Sequence, residues 1–335
     1  MTTQWISRRS TVALAAATLA CAWSSDVAAQ PKMEATLATV NSPAFLLPRT
    51  EILLAEKVAQ KTNGGLTIKV VHSGQLGGMK ENIEAVMGGS LEMTQVNNAF
   101  LGVVYPNTML FDLPFVFRDN DHMRRVVRGD IGRKVYSEYE QKTGMMLIVA
   151  GLADGPRSVW NRTRPVRTPA DLKGMKLRVM EAPIMVDTFR ALGAIPTPMP
   201  FPDVYMAAKQ GVIDGAETPP SGLTETKAPE IAKYYSLTKH FAMPSAVAAN
   251  AKWFNGLPES YRKAIVEASA EVSAWYDKIY DADNLTALEQ VKKEGMVVNE
   301  VDDLQAYRDA VKPVYEKYAD RVGGMQMIQA VIDTK

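Results

Sequence analysis

The chain has 335 residues, with 38 Lys and Arg against 37 Asp and Glu, 47% hydrophobic residues and a single cysteine. This composition excludes disordered and collagen-like chains, and the balance of charge removes the electrostatic case for nucleic acid or an anionic membrane surface as the main partner. The lone Cys21 excludes intramolecular disulfides, Fe–S clusters and thiolate zinc sites, while His72, His122 and His240 lie far apart without metal-binding spacing, so neither a metal nor a cofactor is expected.

Arg8 and Arg9 precede an apolar run from Thr11 to Trp23, and small and polar residues follow, ending Val27-Ala28-Ala29. Residues 1–29 read as a signal peptide that directs the chain to the periplasm, because the run falls short of the ~20 residues a membrane span needs and carries a positive flank. Ser7-Arg8-Arg9-Ser10 resembles a twin-arginine signal, yet paired arginines also occur in general secretory leaders, so both export routes stay open. Cys21 invites a lipoprotein reading, against which Thr18 stands where a lipobox normally has leucine. Removing the segment takes away two arginines and one aspartate and leaves a formally neutral chain.

Beyond the leader, Met33 to Val40 reads as a strand, and Ile52, Ala55 and Val58 recur at helical spacing before Asn63-Gly64-Gly65 ends the helix. Leu66, Ile68 and Val70 alternate with polar residues as a half-buried strand. A turn at Ser73 to Gly78, a helix through Ile83, Val86 and Met87, a Gly88-Gly89 stop and a strand from Leu91 to Val96 repeat the pattern. A second region starts after the apolar strand Met145 to Ala150 and a turn at Gly151 to Pro156. It continues through an N-cap at Thr168, a strand at Lys176 to Met180, helices at Pro183 to Leu192 and Asp203 to Gln210, a strand at Val212-Ile213 and a turn at Asp214-Gly215. Alternating strands and helices predict an α/β fold with a mostly parallel sheet.

From Pro258 to Glu294 there is no glycine and no internal proline, which predicts one helix of roughly 55 Å at ~1.5 Å per residue. Two shorter helices broken near Asp281-Ala282-Asp283-Asn284 are the alternative. Length favours two domains, since single cores stop growing near ~250–300 residues. No Walker loop, GxGxxG fingerprint or GxSxG elbow occurs, and none of the five tryptophans lies in a stacking pattern with basic residues.

Three stretches carry more specific information. The first is Ser73-Gly74-Gln75-Leu76-Gly77-Gly78 with the later Gly89-Ser90-Leu91-Glu92-Met93-Thr94, and the second is Leu113-Pro114-Phe115-Val116-Phe117. The third runs from Asp171-Leu172-Lys173-Gly174-Met175-Lys176-Leu177-Arg178-Val179 through Pro198-Met199-Pro200-Phe201 to Gly211-Val212-Ile213-Asp214-Gly215-Ala216-Glu217. In order and spacing they resemble the substrate-binding receptors of tripartite ATP-independent periplasmic (TRAP) transporters, the dicarboxylate-receptor-like family, over nearly all of the chain beyond the leader.

The resemblance implies a two-domain periplasmic binding protein with a hinge cleft and a long helix, about 258–294, spanning both domains. Residues 30–154 with about 243–282 would form one domain, 155–242 with about 283–320 the other, and 321–335 a C-terminal helix. It implies a receptor that binds a small organic acid through its carboxylate and passes it to small and large integral-membrane subunits. An exported lyase or hydrolase acting on an organic acid is the alternative from another class. A receptor feeding a sensor kinase or an ATP-driven transporter is a third.

Arg178 sits on a short strand between Leu177 and Val179, a rigid base from which a guanidinium forks onto a carboxylate. From the residues alone, the plainer account is an arginine paired with a surface carboxylate; the resemblance implies the ligand contact instead. It also matches Arg157 to a second family arginine, with either a ligand or a structural role, and Asn97 to a ligand-contacting polar position. Glu217 stands where relatives commonly show Glu-Asn, and here Thr218 replaces the asparagine, which bears on ligand type. Phe201 and Trp160 are candidate cleft-lining aromatics or simply core, and Gln75 either contacts ligand or holds the glycine-rich turn.

Overall fold

A computed structural model describes residues 32–335, and the expected leader, with Arg8, Arg9 and Cys21, lies outside the described residues. The described strands are β1 (Met33–Ala38), β2 (Leu66–Val71), β3 (Met93–Asn97), β4 (Met145–Asn161), β5 (Lys176–Val179), β6 (Ile195–Pro198), β7 (Gly215–Thr218), β8 (Tyr234–Asn250) and β9 (Val297–Glu300). They form one sheet in the order β2-β1-β3-β8-β4-β7-β5-β6, with β9 beside β8.

At one end β1 pairs in parallel with β2 and β3, and at the other β5 pairs in parallel with β6 and β7. Helices cross between these strands: Leu46–Lys61 after β1, Met79–Gly88 after β2 and Pro183–Ala191 after β5. This is the expected α/β alternation.

The centre of the sheet differs from the sequence reading. Met145 to Asn161 forms one strand, so Gly151 to Pro156 is not a turn. β4 runs antiparallel to the equally long β8, from Met145 opposite Asn250 to Asn161 opposite Tyr234, and the glycines and proline are absorbed as register shifts, one of them between Asp154 and Arg157. Gly155 is required there, because a Cβ would come within 2.7 Å of Ala242 Cα and Phe241 O on the facing strand. A second correction concerns Val212-Ile213, which precedes the strand; β7 begins at Gly215, where a Cβ would lie 2.0 Å from Trp160 O on β4.

The long helix is continuous from Glu259 to Lys293, and the two-helix alternative falls. Glu259 in its first turn and Lys292 and Lys293 in its last complement the helix dipole. On one side it lies along Leu46–Lys61, with Lys57 on Glu271 at 2.6 Å and Lys61 on Glu267 and Glu271 at 3.2 and 2.8 Å. Farther along, Tyr276 donates to Ala153 O in the middle of β4, and Asn284 Oδ1 accepts the Ser221 N–H at 3.0 Å from the helix Pro220–Glu225 that follows β7. The helix thereby touches elements from both ends of the sheet. A large apolar core runs along the sheet, and a second, around Trp160, Val204, Ile213, Tyr235 and Val291, fills the β7 end. The C-terminal segment closes as a helix over Gly324–Asp333.

Candidate functional site

Ligand clefts of open α/β sheets lie at the carboxyl ends of parallel strands, and the antiparallel pairings β3–β8, β8–β4 and β4–β7 make the two parallel sets of this sheet run in opposite senses. Here a cleft with about 530 Å³ of empty space opens at the ends of β1, β3, β5 and β7 and over the middle of β4. The chain just past β1 supplies Val40, Asn41 and Phe45, β3 ends in Asn97, β5 leads into Met180 and Glu181, β7 ends in Thr218, and β4 contributes Asp154 and Arg157.

Arg178 lies on β5 with only 3% of its surface exposed. Its Nε donates to Met199 O at 3.0 Å, and its guanidinium carbon stands 5.7 Å from the centre of the Phe201 ring, so the fork is fixed from two sides. Among the described residues no carboxylate lies within salt-bridge distance of it, and its two terminal amino groups donate to no protein acceptor. Burial pulls its pKa down to about 10, against the Glu217 charge that raises it, with the neighbouring Arg157 adding to the fall. It stays cationic at neutral pH.

Arg157 on β4 is as buried but has carboxylate partners. Its Nε and NH2 grip the Glu217 carboxylate, the NH2 at 2.9 Å, while NH2 also donates to Glu217 O at 3.0 Å and NH1 to Asp154 Oδ2 at 2.7 Å. The β-bulge makes this possible: in a regular strand residues three apart point to opposite faces, and the extra residue between Asp154 and Arg157 brings them to one face. The guanidinium holds Glu217 near pKa 2 in spite of burial, with His240 Nε2 3.4 Å from Oε2 adding to the effect. Burial keeps His240 below its ordinary value and therefore neutral.

Asn97 joins the same network, donating through Nδ2 to Asp154 Oδ2 and to Ser245 Oγ, each at 2.7 Å. The fold thus brings Arg178, Arg157, Asn97 and Phe201 to one cleft, and Glu217 sits directly beneath Arg157. Trp160 and Gln75 are elsewhere. Trp160 is wholly buried in the second core with Val204 and Ile213, and Gln75 is exposed in the turn, its backbone N–H on His72 O at 3.4 Å. Sequence reasoning passed over Asp154, Asn41, Glu181 and Glu225, all of which line the cleft. Asp154 carried a signal, an acid three residues before Arg157 across a Gly-Pro pair; Glu225 carried none.

Residues 39–321 match the family described as bacterial extracellular solute-binding protein, family 7. Among the most similar curated relatives is the 2,3-diketo-L-gulonate-binding periplasmic protein YiaO of Escherichia coli K12, 32% identical over 252 residues that cover 75% of this chain and 76% of that one. Another is the C4-dicarboxylate-binding periplasmic protein DctP of Rhodobacter capsulatus, 30% identical over 275 residues, covering 80% and 81%. A TRAP periplasmic solute-binding protein from Roseobacter denitrificans, solved with bound β-D-glucuronate, superposes with a TM-score of 0.86 at 31% identity, over 90% of this chain and 100% of that one.

Proposed function

Because the chain belongs to family 7 of the bacterial extracellular solute-binding proteins, periplasmic TRAP receptors rather than enzymes, we propose that it binds a small organic acid by its carboxylate on Arg178 and delivers it to the membrane subunits of a TRAP transporter. One observation carries the ligand assignment. Arg178 is a buried, charged guanidinium with no carboxylate partner among the described residues. An ion taken out of water without a counterion costs several kcal/mol, and the planar fork matches a carboxylate in two-point geometry. The names of the three relatives given above support the chemistry, since each includes an organic acid.

Arg157 has the other role in this reading. With four of its five N–H groups engaged by Glu217 and Asp154, it is the rigid floor of the site and retains one donor for the ligand. Asn97 and Arg178 come from opposite ends of the sheet, so a ligand touching both favours the closed arrangement of the two parts, and the long helix spans them. Residues 1–29 serve as the export signal, and small and large membrane subunits are the partners.

A thermal-shift screen of organic acids tests the reading. At 100 times its dissociation constant a ligand adds ~2.7 kcal/mol, a shift of several degrees. Methyl esters and amides of the best acid should give no shift. An ester that stabilises as well as its parent acid removes Arg178 as the carboxylate anchor.

A further inference from the structure

The two walls of the cleft touch each other directly. Glu225, the last residue of the helix Pro220–Glu225, accepts the Ser42 N–H on Oε1 at 2.6 Å and Asn41 Nδ2 on Oε2 at 2.9 Å. The two donors follow β1, the acceptor follows β7, and β3, β8 and β4 separate those strands in the sheet, so these bonds must break if the cleft opens. The glycine-rich turn holds the donors in place: Ser73 N–H donates to Asn41 O at 2.8 Å and Gly74 N–H to Thr39 O at 3.1 Å. That turn also meets the opposite wall, since a Cβ on Gly74, where φ is +66°, would lie 3.0 Å from Pro202 Cγ. The first of the three sequence motifs thereby becomes the platform for a contact across the cleft.

The Glu225 carboxyl is enclosed by the cleft walls, and among the described residues no Lys, Arg or His comes within salt-bridge distance of it. The acids Asp154 on β4 and Glu51 on the helix Leu46–Lys61 couple to its charge, and Arg178, Arg157 and Glu181 line the same cleft. Loss of water pushes its pKa up to about 8, with the Asp154 charge adding to the rise and the Ser42 and Asn41 donors opposing it. With the walls apart, water reaches the carboxyl and its value returns toward the ordinary 4.5. Between those values the bridged form holds a proton that the parted form has released. The bridge is therefore favoured as pH falls and is lost as pH rises through about 8. A protonated carboxyl keeps both contacts, because each oxygen retains a lone pair.

We propose that Glu225 is a proton-operated strap: protonated, it bridges the two walls through Asn41 and Ser42, and ionised, it lets them part, so that closing of the cleft takes up a proton. The inference rests on the reading that the two ends of the sheet part and close around a ligand, and it concerns what holds them together, not which acid they hold.

The test measures the distance between the walls in the full chain without its leader, which has no cysteine once Cys21 is gone. Spin labels are attached at Glu84→Cys, an exposed position on the helix Met79–Gly88, and at Lys209→Cys, an exposed position on the helix Val204–Lys209 that precedes β7. Dipolar spectroscopy without added acid, at about pH 5.5 and about pH 9, should show the ratio of short to long distances falling by about tenfold or more at the higher pH. Glu225→Gln, which has no proton to release, should remove this response, and Glu51→Gln should retain it. The same ratio at both pH values in the parent overturns the proposal, as does an undiminished response in folded Glu225→Gln. Should Glu225→Gln not fold, Glu51→Gln decides, since it keeps Glu225 and lacks the other glutamate raised to about 8: a response there upholds the strap and its absence overturns it. Addition of D-glucuronate, D-erythronate or succinate at about pH 9 separates the two readings. Distances that shorten with one of these acids but not with a fall in pH overturn the strap and keep ligand-driven closure, and distances that move with neither overturn both.

Discussion

Arg157 on β4 reaches diagonally to Glu217, which lies opposite Val159 on the neighbouring strand β7, and the guanidinium takes the carboxylate by two nitrogens while a third reaches Asp154. Arg178 lies on β5, beyond β7, in the same cleft and with nearly the same burial, yet without a carboxylate partner. Two arginines that look alike in the sequence therefore have opposite energetic positions, one neutralised inside the fold and one left for an anion from outside.

Removing one member of a buried ion pair strands the other, which typically costs ~3–5 kcal/mol. Glu217→Gln should therefore lower the unliganded melting temperature by many degrees, and Arg157→Met should do the same. The pH dependence has a definite sign. Glu217 titrates near 2 in the folded chain against an ordinary 4.5, so its contribution is complete above about pH 4.5 and is lost as pH falls toward 2. Melting curves of the parent and Glu217→Gln should converge across that window, and a constant gap would show that the pair does not act through its charge.

Glu51, on the helix Leu46–Lys61, acts in the opposite direction. Its carboxyl group is buried without a well-formed hydrogen bond, and burial pushes its pKa from 4.5 to about 8, with the nearby Thr39 hydroxyl opposing the rise and the Glu225 charge adding to it. Between those two values the folded chain holds a proton that the unfolded chain has released, so stability falls as pH rises from about 4.5 to about 8. Glu51→Gln keeps the shape and removes this loss. At pH 8.5 it should be more stable than the parent by roughly 2–5 kcal/mol, with little difference at pH 4.5. Glu225 titrates over the same range and stays in the variant, so the slope should lessen without vanishing. Equal melting temperatures at pH 8.5 would remove Glu51 as a source of the slope.

Much of this arrangement was legible in the chain. Hydrophobic periodicity and glycine stops located the parallel strands and helices at both ends of the sheet, and the absence of Gly and Pro over 259–293 gave the long helix, because these are local effects. The central strands were not legible. Gly151, Gly155 and Pro156 have the composition of a turn, and only pairing with β8 over 17 residues makes them bulges in a strand. Trp160 shows the same limit: an aromatic on β4 near Arg157 lies on the core side because of its register, opposite Tyr235 on β8. Arg178 was legible as a strand arginine, whereas its lack of a partner is a three-dimensional fact that no spacing reveals. Glu225 is placed by the helix that follows β7, and its partners Asn41 and Ser42 lie more than 180 residues earlier.

Closure should be visible in solution. Asn97 at the end of β3 and Arg178 on β5 are separated in the sheet by β8, β4 and β7, and a ligand held by both draws the two ends together. Small-angle scattering with saturating ligand should give a smaller radius of gyration than without it. An unchanged profile at proven occupancy would leave a preformed cleft that does not move.

Arg178 decides the carboxylate assignment. If its fork holds the anion in a cleft shielded from water, each charge-assisted hydrogen bond contributes roughly 1.5–3 kcal/mol, and truncation leaves the anion buried alone. Arg178→Ala should weaken binding by ~3–4 kcal/mol, on the order of 10²–10³-fold, enough to move a micromolar ligand toward millimolar. Arg178→Lys should not restore it, because an ammonium keeps the charge without the planar two-point contact. Stability supplies the independent arm. The guanidinium is desolvated and lacks a carboxylate partner, as its pKa near 10 reflects, so removing it relieves a cost. Unliganded Arg178→Ala should melt no lower than the parent, while Glu217→Gln melts well below it. Were Arg178 a structural ion-pair residue, the pattern would invert, with a lower melting temperature and near-parental affinity. Calorimetry and melting on the folded variants separate the two patterns, and near-parental affinity in both Arg178→Ala and Arg178→Lys would sink the anchor role whatever ligand the receptor carries.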